Sequence, residues 1–149
     1  ASPDWQHQRL ARDIDAFNQR RRLPYLIWSQ EQLIGRIDII PQWQEVRFRL
    51  AYWIASAHHA RGFGSEAVTA TTQMAFSALR ARRVTTGHAE PNLASAALAR
   101  KLRFQLYGRQ PGACTRPDGT EVAGLGYERR NTEGLPEVGA RWGQHRPAI

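Results

Sequence analysis

Apolar residues recur at Trp5, Leu10, Ile14 and Phe17 among polar neighbours, which predicts a helix over residues 5–20. Pro24 limits that helix near Arg22 or Leu23. Tyr25 to Trp28 reads as a strand and Ser29 to Gln32 as its turn. Leu33 to Ile40 returns as a second strand with Gly35 near its start, so the two form an antiparallel hairpin. After a turn over 42–45, residues 46–54 alternate at first, with Val46, Phe48 and Leu50 set against Arg47, Arg49 and Ala51. They then run apolar through Tyr52, Trp53 and Ile54. That pattern predicts a strand with one exposed face that enters the core at its far end.

A glycine-rich turn over 57–64 leads into a helix over 65–80, whose apolar positions Ala67, Val68, Ala70, Met74, Ala75, Ala78 and Leu79 keep the 3.6 period. Residues 83–88 read as a short strand, 93–102 as a helix opened by Asn92 or Pro91, and 104–109 as a strand. Pro111 to Gly119 reads as a loop containing the turn Arg116-Pro117-Asp118-Gly119. Val122 to Arg129 is the last strand. Residues 131–149 hold three glycines, two prolines and no clear period. They are expected to form an irregular tail, lying on the body or on a partner through Leu135, Val138 and Trp142. The order of elements makes residues 1–130 one mixed α/β domain.

Composition adds a charge question. The chain has 149 residues and a net charge of +8, and of its 21 basic residues only Lys101 is lysine. Such a balance suits an anionic partner, either nucleic acid or a phosphate-rich cofactor. The arginines are dispersed, and neither zinc-finger spacing nor an RNA-binding aromatic strand is present, so direct nucleic-acid binding is not expected. The single Cys114 excludes an internal disulfide and a cysteine metal cluster, and no metal is expected. It sits in a polar loop without a His–Asp arrangement, which argues against a nucleophilic role and for a reducing, cytoplasmic setting. No apolar run approaches the ~20 residues of a membrane-spanning helix.

The sharpest local signal is Arg61-Gly62-Phe63-Gly64-Ser65-Glu66-Ala67, between a strand and a helix. Glycines at 62 and 64 can adopt positive φ or let backbone approach a ligand, and N–H groups at a helix start converge on an anion. The turn lacks the Gly-Lys-Ser/Thr ending of a P-loop and the third glycine of the dinucleotide fingerprint. A tight turn with an N-cap is the simpler alternative for a two-glycine segment.

These residues resemble the GNAT superfamily of acyl-CoA-dependent N-acetyltransferases, and within it the branch of ribosomal-protein N-terminal acetyltransferases. The family's pyrophosphate loop, Gln/Arg-x-x-Gly-x-Gly/Ala, is matched by Ala60-Arg61-Gly62-Phe63-Gly64, with His59 in place of the leading Gln or Arg. Tyr52-Trp53 stands where the branch carries Gly-Tyr-Trp. A second block, Asn92-Leu93-Ala94-Ser95 followed by Lys101-Leu102-Arg103-Phe104, follows the branch pattern except that Arg103 replaces glycine. If that site needs positive φ, arginine there is strained. The resemblance spans residues 25–130. It implies a central, mostly antiparallel sheet with a splayed parallel strand pair and flanking helices. The family's usual first strand is not found before Trp5, so the chain is expected to begin inside the fold.

The resemblance implies acetyl-CoA as co-substrate, held between strands 46–54 and 84–88. Backbone at Trp53 and Ile54 would hold the pantetheine and thioester. Residues 59–65, namely His59, Ala60, Arg61, Gly62, Phe63, Gly64 and Ser65, would hold the pyrophosphate. Asn92 would cap its helix and meet the pantetheine, and Lys101 would meet the 3′-phosphate. Direct attack by an amine requires a base, for which Glu45, Asp38 and Glu90 are the carboxylates at hand. Glu45 is otherwise an ordinary turn carboxylate. Asp38 faces the acceptor cleft, faces solvent, or pairs with Arg36 or an arginine of the next strand. His58 and His59 sit beside the phosphate loop, where packing or cofactor contact is favoured over proton relay. The tyrosine that serves much of the superfamily as acid is replaced by Ala99, and Ser95 is the branch's substitute. The acceptor would be a protein N-terminus or a small amine, and the chain a monomer or homodimer. The altered His59 and Arg103 and the missing tyrosine leave one alternative: a silent GNAT-like domain that binds CoA or a nucleotide, RNA or a protein partner.

Overall fold

The computed structural model describes residues 3–143. Helix α1 (Pro3–Asn18) leads into strands β1 (Leu23–Ser29), β2 (Gln32–Gln42) and β3 (Arg47–Ile54). A single 3-10 turn, Ser56–His58, precedes helix α2 (Phe63–Ser77). Strand β4 (Arg83–Ala89), helix α3 (Leu93–Lys101) and strands β5 (Gln105–Thr115) and β6 (Glu121–Arg129) complete the order. The six strands form one sheet in the order β1-β2-β3-β4-β6-β5. All neighbours are antiparallel except β3 and β4, which run parallel. This is the expected mixed α/β architecture.

Local chemistry explains most of the element ends. Gln30 and Glu31 both take positive φ, as a tight two-residue hairpin turn between β1 and β2 demands. Helix α1 ends with Arg20 in the left-handed conformation, where Arg21 N–H donates to the Ala16 carbonyl and Arg20 N–H to Phe17. Helix α3 ends in the same way on Arg103, at φ 58°, with Phe104 N–H donating to Ala99 and Arg103 N–H to Arg100. Both are Schellman motifs with arginine where glycine is the preferred residue.

The core lies between one face of the sheet and helices α2 and α3. Ile37, Ile39, Phe48, Leu50 and Val84 from the strands meet Val68, Ala75 and Ala99 from the helices and Leu102 just after α3. Burying each of the larger side chains contributes roughly 2 kcal/mol. Helix α1 lies against the other face and is less deeply set: Ala16 is buried, while Leu10, Ile14 and Phe17 remain about 40% exposed. What anchors it is polar. The Asp13 carboxylate accepts from both terminal nitrogens of Arg36 on β2 at 2.7 and 3.1 Å.

The chain after β4 departs from the sequence expectation at one place. Pro111 to Thr115 continues strand β5 and is not a loop. Strand β5 is an edge strand, so Pro111 removes no donor from an inner ladder. The extra residues are absorbed by a register shift between Gln110 and Cys114, with Gly112 at φ 69°. Cys114 therefore lies in a bulged edge strand. Residues 131–143 hold neither helix nor strand and pack on the body, with Leu135 against the core and the Trp142 ring edge-on to Tyr25 at 4.9 Å. Gln73 donates to the Pro136 carbonyl at 3.0 Å. A shallow cleft of about 240 Å³ lies between this segment and α2, lined by Ala70, Met74, Val138 and Trp142 among others. Residues 144–149 of the predicted tail lie outside the described residues.

Candidate active site

The parallel pairing of β3 and β4 runs only from Arg47↔Arg83 to Leu50↔Thr86. Beyond that point each strand keeps its other neighbour: β3 stays with β2 as far as Ile54↔Gly35, and β4 stays with β6 as far as Ala89↔Gly124. The two strands thus part in the middle of the sheet and leave a wedge-shaped gap toward their C-terminal ends. Thr86 Oγ1 donates to the Leu50 carbonyl at 3.3 Å at the point of parting. Gly35 lets β2 lie close to the β3 lip, since a Cβ there would stand 2.4 Å from the Trp53 carbonyl.

The glycine loop stands at the same end. Ala60 and Gly62 both take left-handed φ, 62° and 81°, and turn the chain from the end of β3 into α2. The first helical hydrogen bond is Glu66 N–H to the Gly62 carbonyl, so the N–H groups of Phe63, Gly64 and Ser65 precede it and point out of the helix end. A Cβ on Gly62 would meet nothing within 4 Å, so the loop's outer side is open to a ligand. His59 Nε2 donates to the Ile54 carbonyl at 2.6 Å and ties the loop to the end of β3. Its ring thus does loop-holding work. Arg61 is exposed at the tip.

Helix α3 borders the gap from the same face as α2. Asn92 Oδ1 accepts from Ser95 N–H at 3.1 Å and caps the helix. The Ser95 side chain lies beside the Tyr52 phenol. Burial pushes the Tyr52 pKa up, and the Ser95 contact opposes that rise. Gly64 lies close against Leu98, since a Cβ there would stand 3.2 Å from Leu98 Cδ1 and 3.7 Å from the Tyr52 ring. Lys101 is exposed in the last turn of α3. Trp53 points to the opposite face and is half exposed, with Ile54 beside it on the lip.

The carboxylates fall elsewhere. Asp38 is 3% exposed on the α1 face. Its oxygens accept from Arg22 Nε at 2.5 Å and from Arg36 Nε and Nη2 at 2.6 and 2.9 Å. Burial alone would raise its pKa, but the two guanidiniums outweigh that and hold it below the usual carboxylate range. Of the placements open to Asp38 in the sequence, the arginine pair is the one found. Glu45 occupies the turn before β3, exposed and 3.5 Å from Arg47 Nε. Six residues of strand separate it from the lip, about 20 Å of chain at 3.3 Å per residue. Glu90 stands at the gap end of β4 but is paired with Arg109, whose Nε donates at 2.5 Å and lowers its pKa. Sequence reasoning passed over two groups at the gap, Tyr52 and His88. Both occupy strand positions that read as core, and only the end of the β3–β4 pairing marks them.

Residues 1–105 match the family described as the acetyltransferase (GNAT) domain. The chain belongs to the GNAT acetyltransferase family. Solved GNAT-fold structures agree with this architecture. The ribosomal-protein alpha-N-acetyltransferase RimL in complex with coenzyme A superposes with a TM-score of 0.83 at 20% identity, covering 89% of this chain and 75% of that one. A microcin self-immunity acetyltransferase in complex with acetyl-CoA and AMP gives 0.78 at 16% identity, over 83% and 69% of the two chains. The spermidine N-acetyltransferase of Vibrio cholerae gives 0.72 at 14%, over 79% and 70%. No curated protein sequence matches the chain. As a GNAT N-acetyltransferase, the protein uses acetyl-CoA as its acetyl donor. Among the described residues no helix is long and apolar enough to cross a membrane, and no group of His, Cys, Asp and Glu is arranged to hold a metal.

Proposed function

We propose that this GNAT enzyme transfers acetyl from acetyl-CoA to a primary amine, at a protein N-terminus or on a small molecule, by direct attack in a ternary complex. The observation that carries the proposal is the parting of β3 and β4 beyond Leu50↔Thr86, with the glycine loop at the same end. Backbone at Trp53 and Ile54 would hold the thioester and pantetheine, and one N–H would polarise the thioester oxygen. Residues 60–65 would hold the pyrophosphate by backbone N–H groups, with His59 bracing the loop. Asn92, besides capping α3, would meet the pantetheine, and Lys101 would meet the 3′-phosphate. Ser95 would hydrogen-bond the departing sulfur. Asp38 and Glu45 are not assigned the base role, because the first has its oxygens filled by arginines and the second lies at the wrong end of β3.

Charge bears on the acceptor. Arg49 on β3 is exposed and unpaired among the described residues. RimL acts on a ribosomal protein and the Vibrio enzyme on spermidine, a polycation. A surface carrying +8 disfavours a polycation and suits a neutral or acidic amine, such as a protein N-terminus in an anionic setting. The single thiol suits a reducing cytoplasm.

The test is to measure thermal stability with acetyl-CoA and thiol release against a panel of N-terminal peptides, small amines and polyamines. Stabilisation by acetyl-CoA with release on a neutral or acidic amine is the expected result. Stabilisation without release on any amine would mean a silent domain, and no stabilisation would overturn CoA binding.

A further inference from the structure

Leu50 and Thr86 are the last partners of the parallel pair. One step further along each strand, on the same face, stand Tyr52 and His88. They would face each other if the pairing continued, so they form the two lips of the gap.

The His88 ring is held through both of its nitrogens. Its Nδ1 lies 2.7 Å from the Ala89 carbonyl, which can only accept, so Nδ1 carries the proton. In the neutral ring Nε2 then holds the lone pair, 3.1 Å from the Tyr127 hydroxyl, which can donate to it. The rings stack with centroids 5.3 Å apart and planes 23° apart. Tyr127 comes from β6, directly opposite Thr86. A ring whose Nδ1 proton is tied to a carbonyl and whose Nε2 faces a phenol has that second nitrogen placed to take up a proton. The carboxylates nearby are committed: Glu90 to Arg109, and Glu128 to Arg83 and Arg130.

Resting on the acetyltransferase reading, we infer that His88, with Tyr127, is the proton acceptor for the attacking amine. The protonated amine gives one proton to Nε2, directly or through the Tyr127 hydroxyl, which passes on its own proton as it receives the new one. The freed nitrogen lone pair forms the N–C bond. The C–S bond breaks with its electron pair leaving on sulfur. The second proton shed by nitrogen neutralises the thiolate, and the proton on His88 passes to water.

The experiment compares wild type, His88→Ala, His88→Gln and Tyr127→Phe with acetyl-CoA and the amine that the wild type turns over best, with and without added imidazole. His88→Ala is expected to lower kcat about 100-fold or more, with KM for acetyl-CoA changed less than about twofold. Added imidazole is expected to restore at least about a tenth of the lost rate, a recovery that a packing role would not give. His88→Gln keeps a hydrogen-bonding side chain beside Tyr127 but cannot take the proton, so it stays as slow as His88→Ala. It also serves as the test if the alanine variant does not fold. Tyr127→Phe is expected to lose about tenfold. A His88→Gln enzyme within about threefold of wild type, or a slow His88→Ala enzyme that imidazole leaves unchanged, overturns the inference. Wild-type protein that turns over no amine defeats the acetyltransferase reading itself, and the inference with it.

Discussion

Two polar regions lie one strand apart in the middle of the sheet and are built in opposite ways. On the α1 face, Asp38 sits beside Ala51 of β3 and is closed on all sides. Arg22 and Arg36 fill its oxygens, and Arg36 reaches on to Asp13 of α1. On the α2–α3 face at the gap, the polar groups are few and include no carboxylate or guanidinium: Tyr52 with Ser95, and His88 with Tyr127. The first region uses charge to fasten a shallow helix, and both Asp38 oxygens are engaged by guanidiniums. The second keeps lone pairs and hydroxyls beside strands that have stopped pairing. A titratable residue at the centre of a sheet is thus not a catalytic candidate by position alone, since what counts is which lone pairs its neighbours leave open.

Breaking the closed cluster is the severest perturbation. Asp38→Ala strands Arg22 and half of the partners of Arg36, a buried-pair loss of about 3 kcal/mol, at the low end of the usual range because Asp13 stays. That corresponds to a fall in Tm of about 10 °C in thermal denaturation. The pH dependence has a definite sign. The folded pKa of Asp38 lies below its unfolded value, so the unfolded chain binds more protons in the acid range. The stabilisation is present above the unfolded carboxylate pKa and is lost as pH falls through the folded one. Wild-type Tm therefore drops on acidification more steeply than that of Asp38→Asn. Parallel curves would show that the cluster does not fasten α1.

Opening the second region further affects rate and leaves stability alone. Ser95→Ala keeps the helix cap, because the cap uses the backbone N–H of residue 95. We expect kcat to fall about 100-fold, with Tm unchanged within about 2 °C. A large Tm loss with unchanged kcat would move Ser95 from the reaction to the packing of Tyr52.

The elements outside these two regions were the legible ones. Periodicity located the helices and strands to within a few residues, and the glycine loop and the Asn92 block marked the cofactor end. The edge strand through Pro111 was not legible, because its proline and glycine are tolerated only where no neighbour needs their backbone groups. Nor was the division of labour among acids. Asp38 is closed by Arg22, sixteen residues earlier in the chain, and by Arg36, which is held in turn from α1. His88 gains its meaning from a pairing that ends two residues before it.

A smaller effect separates backbone strain from charge. Arg103 is left-handed at the end of α3, and its guanidinium lies over Gly134 and near Arg129, whose pKa burial and Arg103 both lower. Arg129 itself donates to the Leu102 carbonyl at 2.6 Å and fastens the following segment. Arg103→Gly relieves the left-handed strain and one like-charge contact, for a gain of about 1 kcal/mol, or a Tm rise of about 3 °C. Arg103→Ala removes the charge and keeps the strain. Equal gains in both variants would assign the effect to charge, whereas a gain confined to glycine assigns it to the backbone.

The smallest effect belongs to Glu45, and its smallness is the informative part. If the base had to be a carboxylate on β3, Glu45→Gln would abolish turnover. The residue instead lies in an exposed turn, about 20 Å of strand from the gap, with solvent screening its contact to Arg47. Its removal is expected to leave kcat within about twofold and stability within about 0.5 kcal/mol. A larger loss of kcat would require the acceptor to reach across the whole of β3 to the turn. The reaction would then run at the paired end of the sheet, and the parting of β3 and β4 would lose its claim to be the active site.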